Sequence, residues 1–209
     1  MDLKGILFDL DGVLIDTESI YSTFWDGIDR RFPTGIDRFS LYIKGTTLPS
    51  IMTHFPDEDV RRQIMEALER FQDSMSYPLY DDTLDFLDML AEAGLKLAIN
   101  TSSDPYKMSR LYAEHPGFRD RFDAVIDASN VTRSKPDPQG YIMAAHALGL
   151  EPCQCVVFED SLQGLAAGAA SGAKVVGVAT TYPAGRLMPP ADVVISRLSE
   201  MTLDRLRSL

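Results

Sequence analysis

The stretch that decides the fold is residues 4–15, KGILFDLDGVLI. A short apolar run leads directly into two aspartates, Asp9 and Asp11, which are separated by one leucine. Side chains alternate along a β-strand, so both carboxylates would point to the same side if the strand continued. Like charges this close raise each other's pKa unless a positive charge lies between them. The segment is therefore either an acidic surface turn or half of a site that holds a cation.

Composition places the chain among ordinary globular proteins. Its 209 residues suit one large domain, or one domain with a smaller insertion. Apolar residues make up 45% of the chain and charged residues 24%. The net charge is −11, and the sequence has no basic cluster that could bind the phosphate backbone of a nucleic acid. The first residues lack a signal-peptide pattern, and no uncharged apolar stretch reaches membrane-spanning length. We therefore predict a cytoplasmic protein that binds neither nucleic acid nor membranes.

Short apolar runs recur along the chain, and a long segment separates the first run from the second. Because these runs are apolar on consecutive positions, they predict strands that are buried on both faces of a parallel sheet. The runs are residues 5–9, 95–101, 123–127, 155–160, 174–179 and 192–196. Amphipathic helical patterns lie between them, and glycines at 94, 149 and 172 suit left-handed helix ends. The alternation predicts an α/β fold, a doubly wound parallel (Rossmann-like) sheet.

Residues 16–80 interrupt this alternation. They contain no strand pattern and instead predict several helices, the longest beginning at the acidic residues Asp57 to Asp59. A simple crossover between two parallel strands needs only one helix, so the segment is longer than the connection requires. We predict a catalytic core formed by residues 1–15 and 81–209, with residues 16–80 inserted as a helical cap over the carboxyl edge of the sheet.

The predicted strands end on residues that can bind metal and phosphate. In an open parallel sheet, ligands bind beyond the carboxyl ends of the strands. The polar residues predicted at that edge are Asp9, Asp11, Thr101, Ser102, Lys135, Glu159 and Asp160. This many acids at one place implies a hard cation, and Mg²⁺ fits because it takes oxygen ligands and leaves positions for water and phosphate. Each residue alone also suits a helix cap or a solvated loop, but their common position favours a site.

Four motifs, in order and in spacing, resemble those of the haloacid dehalogenase (HAD) superfamily. FDLDGVL resembles the first motif, INTSS the second, SKPDP the third, and VVFEDSLQGLAAGAASGAKVVGV the fourth. The resemblance covers nearly the whole chain, and the first and fourth motifs are specific. The helical insertion resembles the cap of the subgroup that includes β-phosphoglucomutase and many sugar-phosphate phosphatases.

The resemblance implies a role for each matched residue. Asp9 would be the nucleophile that forms an aspartyl-phosphate, and Asp11 would act first as general acid and then as general base. Mg²⁺ would be held by Asp9, Asp160 and the backbone carbonyl of Asp11, with Glu159 as a further ligand or a neighbour of the ligands. The groups that would bind the transferring phosphoryl oxygens are Thr101, the Ser102 amide and Lys135. Phosphoryl transfer depends chiefly on positioning and charge stabilisation, which these residues supply.

These roles favour a phosphatase that acts on a small phosphorylated metabolite, with a sugar phosphate as the expected substrate. Asp11 argues against dehalogenation, since dehalogenases of the superfamily typically lack that aspartate. A phosphosugar mutase is the first alternative, but β-phosphoglucomutases carry a histidine where this chain has Tyr21 and an arginine beyond the cap-loop KG, which KGTTLPSI lacks. A phospho-signalling receiver module shares the residue types but has no insertion. A non-catalytic phospho-ligand binding protein would not need a competent residue at every catalytic position.

One loop of the predicted cap is the candidate for substrate specificity. Lys44, Gly45 and Thr46 form a polar segment that could approach the active site when the cap closes. Lys44 would then contact a polar or anionic part of the substrate, and the competing interpretation is a lysine that is exposed to solvent. No exposed apolar stripe stands out, so a monomer and a small homo-oligomer both stay open.

Overall fold

The structure, a computed structural model, describes residues 2–209. Within them, six strands form one sheet: β1 (Gly5–Phe8), β2 (Lys96–Asn100), β3 (Ala124–Ile126), β4 (Cys155–Glu159), β5 (Lys174–Val178) and β6 (Val193–Ile195). All neighbouring strands are parallel, in the order β3–β2–β1–β4–β5–β6. This is the order of a doubly wound sheet, with its reversal between β1 and β4. The predicted fold class is confirmed.

Nine α-helices accompany the sheet in residues 2–209. They are α1 (Glu18–Arg31), α2 (Phe39–Tyr42), α3 (Leu48–Met52), α4 (Glu58–Ser74), α5 (Thr83–Glu92), α6 (Pro105–Glu114), α7 (Gln139–Ala147), α8 (Leu162–Ser171) and α9 (Leu203–Arg207). Short 3₁₀ segments lie at Arg119–Arg121, Pro152–Gln154, Ala184–Arg186 and Leu198–Glu200. No helix among these residues is both long enough and apolar enough to cross a lipid bilayer.

The sheet has an apolar core on each face, as its consecutive apolar strands predict. In β1, Ile6 and Phe8 belong to one core, which α5, α6 and α9 complete. Leu7 points to the other face, where it joins the core formed with α7 and α8. At Gly168, on α8, a Cβ atom would come within 3.0 Å of a Val157 methyl carbon, so the missing side chain permits close contact between helix and sheet. Both faces of β1 are therefore held by packing, which fixes the position of Asp9 at its end.

Helices α1–α4, which we call the cap helices, lie between β1 and α5 in sequence and have an apolar core of their own. Trp25, Phe39, Ile51 and Ile64 belong to this third cluster. The two connections between the cap helices and the sheet run side by side, since the amide of Asp16 donates to the carbonyl of Pro78 at 2.8 Å. A separate core with paired connections is typical of an inserted domain. The division into a core of 1–15 plus 81–209 and a cap of 16–80 stays a prediction.

Candidate active site

The candidate site lies where the strand order reverses, beyond the carboxyl ends of β1 and β4. Asp9 follows β1 directly, while Glu159 ends β4 and Asp160 follows it. The chain turns away from the sheet at Gly12, which has a φ of +79° and a backbone so close to Asp160 that a Cβ would overlap its carboxylate. Glycine is the residue that accepts both the positive φ and the close approach. The turn therefore lets the first and fourth motifs touch.

Lys135 joins the carboxylates from the two strands. Its ammonium donates to Asp9 Oδ1 at 2.5 Å, to Glu159 Oε1 at 2.6 Å and to the Asn100 carbonyl at 3.3 Å. All three donors of the buried ammonium thus have an acceptor, which a charge removed from water requires. The interpretation of Lys135 as a solvated loop lysine is wrong, because its side chain is buried between two acids.

Glu159 is held on both of its carboxylate oxygens. Besides Lys135, Tyr141 donates its hydroxyl to Oε1 at 2.8 Å, and the amide and hydroxyl of Ser161 both donate to Oε2 at 3.0 Å. A Cβ on Gly164, in the first turn of α8, would overlap this carboxylate. With four donors already bound, Glu159 is better suited to orient Lys135 than to offer a free oxygen to a metal.

Asp9 and Asp160 form the part of the site that best suits a cation. One oxygen from each of Asp9, Glu159 and Asp160 lies within 4.8 Å of the others. Burial raises the pKa of Asp9 to about 7, with Glu159 adding to the rise and Lys135 opposing it. Burial also raises the pKa of Asp160 well above its usual range, as do the neighbouring Glu159 and Asp9 charges. These raised pKa values mean that the two buried carboxylates are unfavourable without a nearby positive charge. Carboxylate oxygens in such a place fit a divalent cation such as Mg²⁺.

Asp11 is surrounded by hydrogen-bond donors. Lys107 donates its ammonium to Oδ1 at 2.5 Å, Ser103 donates its hydroxyl to Oδ2 at 2.9 Å, and the Thr17 hydroxyl also donates to Oδ1. Burial alone would raise the pKa of Asp11, but the Lys107 charge and these hydrogen bonds outweigh it and hold the pKa below its usual value. In this arrangement Asp11 is ionised near neutral pH, which is the form that a general base needs.

The second motif lies beside these aspartates. Thr101 is buried and accepts a hydrogen bond on Oγ1 from the amide of Ser103 at 3.0 Å. Ser102 donates its hydroxyl to the carbonyl of Gly45, in the loop between α2 and α3, at 2.7 Å. Asp104, which we had not assigned to the site, caps α6 by accepting from the amide of Lys107 at 2.9 Å. Of the predicted residues, those that line one shared cavity are Asp9, Asp11, Lys44, Gly45, Thr46, Thr101, Ser102 and Asp160.

The loop between α2 and α3 lines one part of that cavity, whose volume is about 110 Å³. Lys44 is 8% exposed and donates to the Glu18 carbonyl at 3.0 Å while pairing with the Glu18 carboxylate. The interpretation of Lys44 as a solvent-exposed lysine is therefore wrong. Thr46 donates its hydroxyl to the Ile43 carbonyl at 2.6 Å, which stabilises the loop internally. Whether these residues select the substrate stays a prediction.

We expect Gly45→Ala to displace the loop between α2 and α3 in addition to straining its backbone. Gly45 has a φ of +76°, and a Cβ there would lie 2.5 Å from Ser161 Oγ. Gly35 has the same φ of +76° with nothing within 4 Å, so Gly35→Ala is a matched control for strain alone. Both should lose about 1–2 kcal/mol in denaturant unfolding. Only Gly45→Ala should also lower kcat/KM, by about 10- to 100-fold, because the loop must move away from Asp9 and Asp11 in the cavity that it lines. Equal kinetics for the two variants would contradict this.

Several residues at the site were not found from the sequence. Thr17, Ser103 and Lys107 contact Asp11, and Tyr141 contacts Glu159. Lys107 alone carried a usable signal. It is the third residue of α6, where the positive end of the helix dipole disfavours a cation, so a lysine there needs a compensating partner.

Comparison with known proteins identifies the family of this chain. The family model described as haloacid dehalogenase-like hydrolase matches residues 3–172. The chain belongs to the haloacid dehalogenase-like hydrolase family. This match confirms the resemblance seen in the four motifs. The chain is a hydrolase of the phosphoric monoester class, to which its named phosphatase relatives belong.

Three similar proteins illustrate the range of this family. The chain is 32% identical over 211 residues to a validoxylamine A 7'-phosphate phosphatase from Streptomyces hygroscopicus subsp. limoneus, covering 95% of each protein. It is 28% identical over 222 residues to a β-phosphoglucomutase from Bacillus subtilis (strain 168), covering 98% of this chain and 94% of that one. A solved haloacid dehalogenase-like structure from Bacteroides fragilis superposes with a TM-score of 0.80 at 27% identity, covering 96% of this chain and 100% of the other.

Proposed function

We propose that this haloacid dehalogenase-like hydrolase is a Mg²⁺-dependent phosphatase that hydrolyses a small phosphorylated metabolite, a sugar or polyol phosphate, through an aspartyl-phosphate on Asp9. The observation that carries the proposal is that Asp9 and Asp11 line one cavity, where the Lys135 ammonium holds Asp9 and the Lys107 ammonium holds Asp11. The phosphatase name of the Streptomyces relative supports the same reaction class.

Asp9 and Asp11 divide the chemistry between them. In the first half-reaction a carboxylate oxygen of Asp9 attacks phosphorus and the bond from phosphorus to the ester oxygen breaks. Asp11 gives its proton to the departing oxygen, so the alcohol leaves neutral. A bound phosphate dianion favours the protonated form of Asp11 that this step needs, because a nearby negative charge raises the pKa of a carboxyl group.

The second half-reaction returns the site to its starting state. Asp11, now a carboxylate, takes a proton from a water molecule as the water oxygen attacks phosphorus. The bond from phosphorus to Asp9 breaks, and inorganic phosphate is released. The low pKa of Asp11 suits this step, since burial is outweighed by Lys107 and by the hydroxyl donors.

The remaining residues bind charge. Thr101 and the Ser102 amide would bind the phosphoryl oxygens, and Lys135 would join them by exchanging one of its three protein acceptors for a phosphoryl oxygen. Asp9, Asp160 and the backbone carbonyl of Asp11 would hold Mg²⁺, which when bound offsets the negative charge of the phosphoryl group and of the buried carboxylates. Glu159 would act through Lys135, whose ammonium it holds.

The proposal is tested by measuring phosphate release from a panel of sugar phosphates, polyol phosphates, other phosphomonoesters and pyrophosphate. With excess Mg²⁺ we expect turnover of some members, and the ranking identifies the substrate class. Folded protein that releases phosphate from none of them would contradict the proposed function.

Removal of the metal should stop the reaction without unfolding the protein. We expect chelation to lower phosphate release by about 10²- to 10³-fold, because the ion supplies several kcal/mol of charge stabilisation. Added Mg²⁺ should restore the rate, and Asp160→Asn should require a higher Mg²⁺ concentration for half-maximal activity. A rate that chelator leaves unchanged, or an Asp160→Asn variant with the wild-type Mg²⁺ dependence, would contradict the assignment of these ligands.

A phosphosugar mutase is the second candidate, favoured by the similarity to the Bacillus β-phosphoglucomutase. In this chain Tyr21 lies in the cavity, with its hydroxyl accepting from Gln72 at 3.2 Å and its ring under the Lys107 ammonium. A mutase must hold and reorient a phosphorylated intermediate, whereas a phosphatase releases its alcohol. Conversion of one sugar phosphate isomer into another, without net phosphate release, would identify the mutase.

A further inference from the structure

Lys107 is a buried charged residue at this site whose bonding is incomplete. Its side chain is 4% exposed and lines the cavity beside Asp11 and Tyr21. The ammonium donates to Asp11 Oδ1 at 2.5 Å and lies 4.2 Å from the centre of the Tyr21 ring. A lysine ammonium has three N–H donors, and in residues 2–209 Asp11 supplies the one hydrogen-bond acceptor for them.

The contrast with Lys135 shows what the incomplete bonding means. Lys135 is equally buried, and its three donors meet three acceptors. Lys107 has one donor on Asp11 and can direct a second at the face of Tyr21, a favourable but weaker contact. The third donor borders the cavity. A buried ammonium without its full set of acceptors is costly, so a ligand that supplies an acceptor there would be bound favourably.

The position of Lys107 identifies which part of a ligand it would meet. Lys135, one of the groups proposed to bind phosphate, contacts Asp9, whereas Lys107 lies between Asp11 and Tyr21 of α1. Asp11 must reach the ester oxygen of the leaving group at hydrogen-bond distance. Lys107 is 2.5 Å from the same carboxylate, so its free donor lies within reach of the next oxygen along the leaving group.

We propose that Lys107 is a substrate-binding residue that selects phosphate esters carrying a hydroxyl group on the carbon next to the ester carbon. The proposal rests on the function proposed above, because it places the leaving group against Asp11. The ammonium donates to that vicinal hydroxyl oxygen while Asp11 transfers its proton to the ester oxygen. The cavity wall also combines apolar side chains, those of Trp25, Ile43, Leu48, Ile51 and Leu68, with polar ones such as Ser40 and Gln72, a mixture that suits the carbon skeleton and hydroxyl groups of a short polyol or sugar.

A matched pair of substrates separates recognition from a general loss of activity. Sorbitol 6-phosphate carries the vicinal hydroxyl, and 5-deoxysorbitol 6-phosphate lacks it, while their ester chemistry is nearly the same. The measurement is the ratio of kcat/KM for the two esters in wild type, in Lys107→Met and in Lys174→Met. Lys174 is also paired with an aspartate, Asp192, at 2.8 Å, but it lies at the opposite edge of the sheet and serves as the control.

We expect wild type and Lys174→Met to prefer the hydroxylated ester by about 10- to 100-fold, since a site built to bind a hydroxyl rejects the analogue that lacks it. Lys107→Met should bring this ratio close to one. A perturbed Asp11 alone would slow both esters equally, so a Lys107→Met variant that keeps the wild-type ratio would overturn the proposal.

Two further outcomes are decisive. If Lys107→Met does not fold, Lys107→Arg keeps the positive charge beside Asp11 but presents a planar fork of donors, and it should still reduce the ratio by several fold. An unchanged ratio in Lys107→Arg would overturn the proposal in that case. Wild type that releases phosphate from other monoesters but from neither sorbitol ester would contradict this inference alone. Wild type that releases phosphate from no ester would contradict the proposed function instead.

Discussion

Replacing Asp9 with asparagine is expected to lower phosphate release by about 10⁴-fold or more, the size of effect seen when a covalent nucleophile is removed. An amide oxygen is a poor nucleophile and cannot form the aspartyl-phosphate. Asparagine is nearly isosteric with aspartate and can still accept from Lys135 on its side-chain oxygen, so the fold around β1 should survive. The measurement is steady-state phosphate release with excess Mg²⁺ on the best substrate of the panel.

The control for this variant is Asp192→Asn. Asp192 accepts from Lys174 and from the amide of Val175 at 2.8 Å, at the amino edge of the sheet. The Asp192→Asn variant should therefore keep wild-type activity. Trapping of the aspartyl-phosphate gives an independent readout. Acid quenching of wild type during turnover should yield a covalent phosphoprotein, which Asp9→Asn should not form. Residual activity in Asp9→Asn within tenfold of wild type would remove Asp9 from the role of nucleophile.

The strand ends could be predicted because strand burial and sheet topology obey simple rules. Consecutive apolar residues indicated strands buried on two faces, and parallel strands bring their carboxyl ends to one edge. Asp9, Thr101 and Asp160 follow their strands directly, so their proximity required no knowledge of side-chain packing. The structure brings them into one cavity.

The environment of the lysines could not be predicted in this way. Lysine is rarely buried, so the sequence left an exposed position open for Lys44 and placed Lys135 at the site without indicating its burial. The structure buries both because carboxylates from distant parts of the chain, Glu18 for one and Glu159 for the other, compensate their charge. Lys107 likewise depends on Asp11, 96 residues away in sequence. Pairings of this range depend on the tertiary fold and leave no local pattern.

Lys135→Met is expected to reduce both activity and stability. Removing the ammonium leaves Asp9 and Glu159 buried without their shared counter-charge, and breaking a buried ion pair on one side typically costs about 3–5 kcal/mol. Activity should fall by about 10²- to 10³-fold beyond this, because a donor to the transferring phosphoryl group is lost. Lys174→Met, at a partly exposed pair, should change stability by no more than about 1 kcal/mol. Urea unfolding and phosphate release measure the two effects.

The double variant Lys135→Met/Glu159→Gln distinguishes charge compensation from packing. In Lys135→Met the charge of Glu159 is buried without its ammonium partner. If this unpaired charge causes the loss of stability, the double variant should be about 1–3 kcal/mol more stable than the summed losses of the two single variants predict. The glutamine oxygen can take the Oε2 position and still accept from Ser161, while its NH2 group, at the Oε1 position, can donate to the Tyr141 hydroxyl, which limits the cost of the second change. Activity should stay low, because neither residue then offers an ammonium to the phosphoryl oxygens. Additive losses of stability in the double variant would show that Lys135 stabilises the core by packing alone, and recovered activity would contradict its role in binding phosphate.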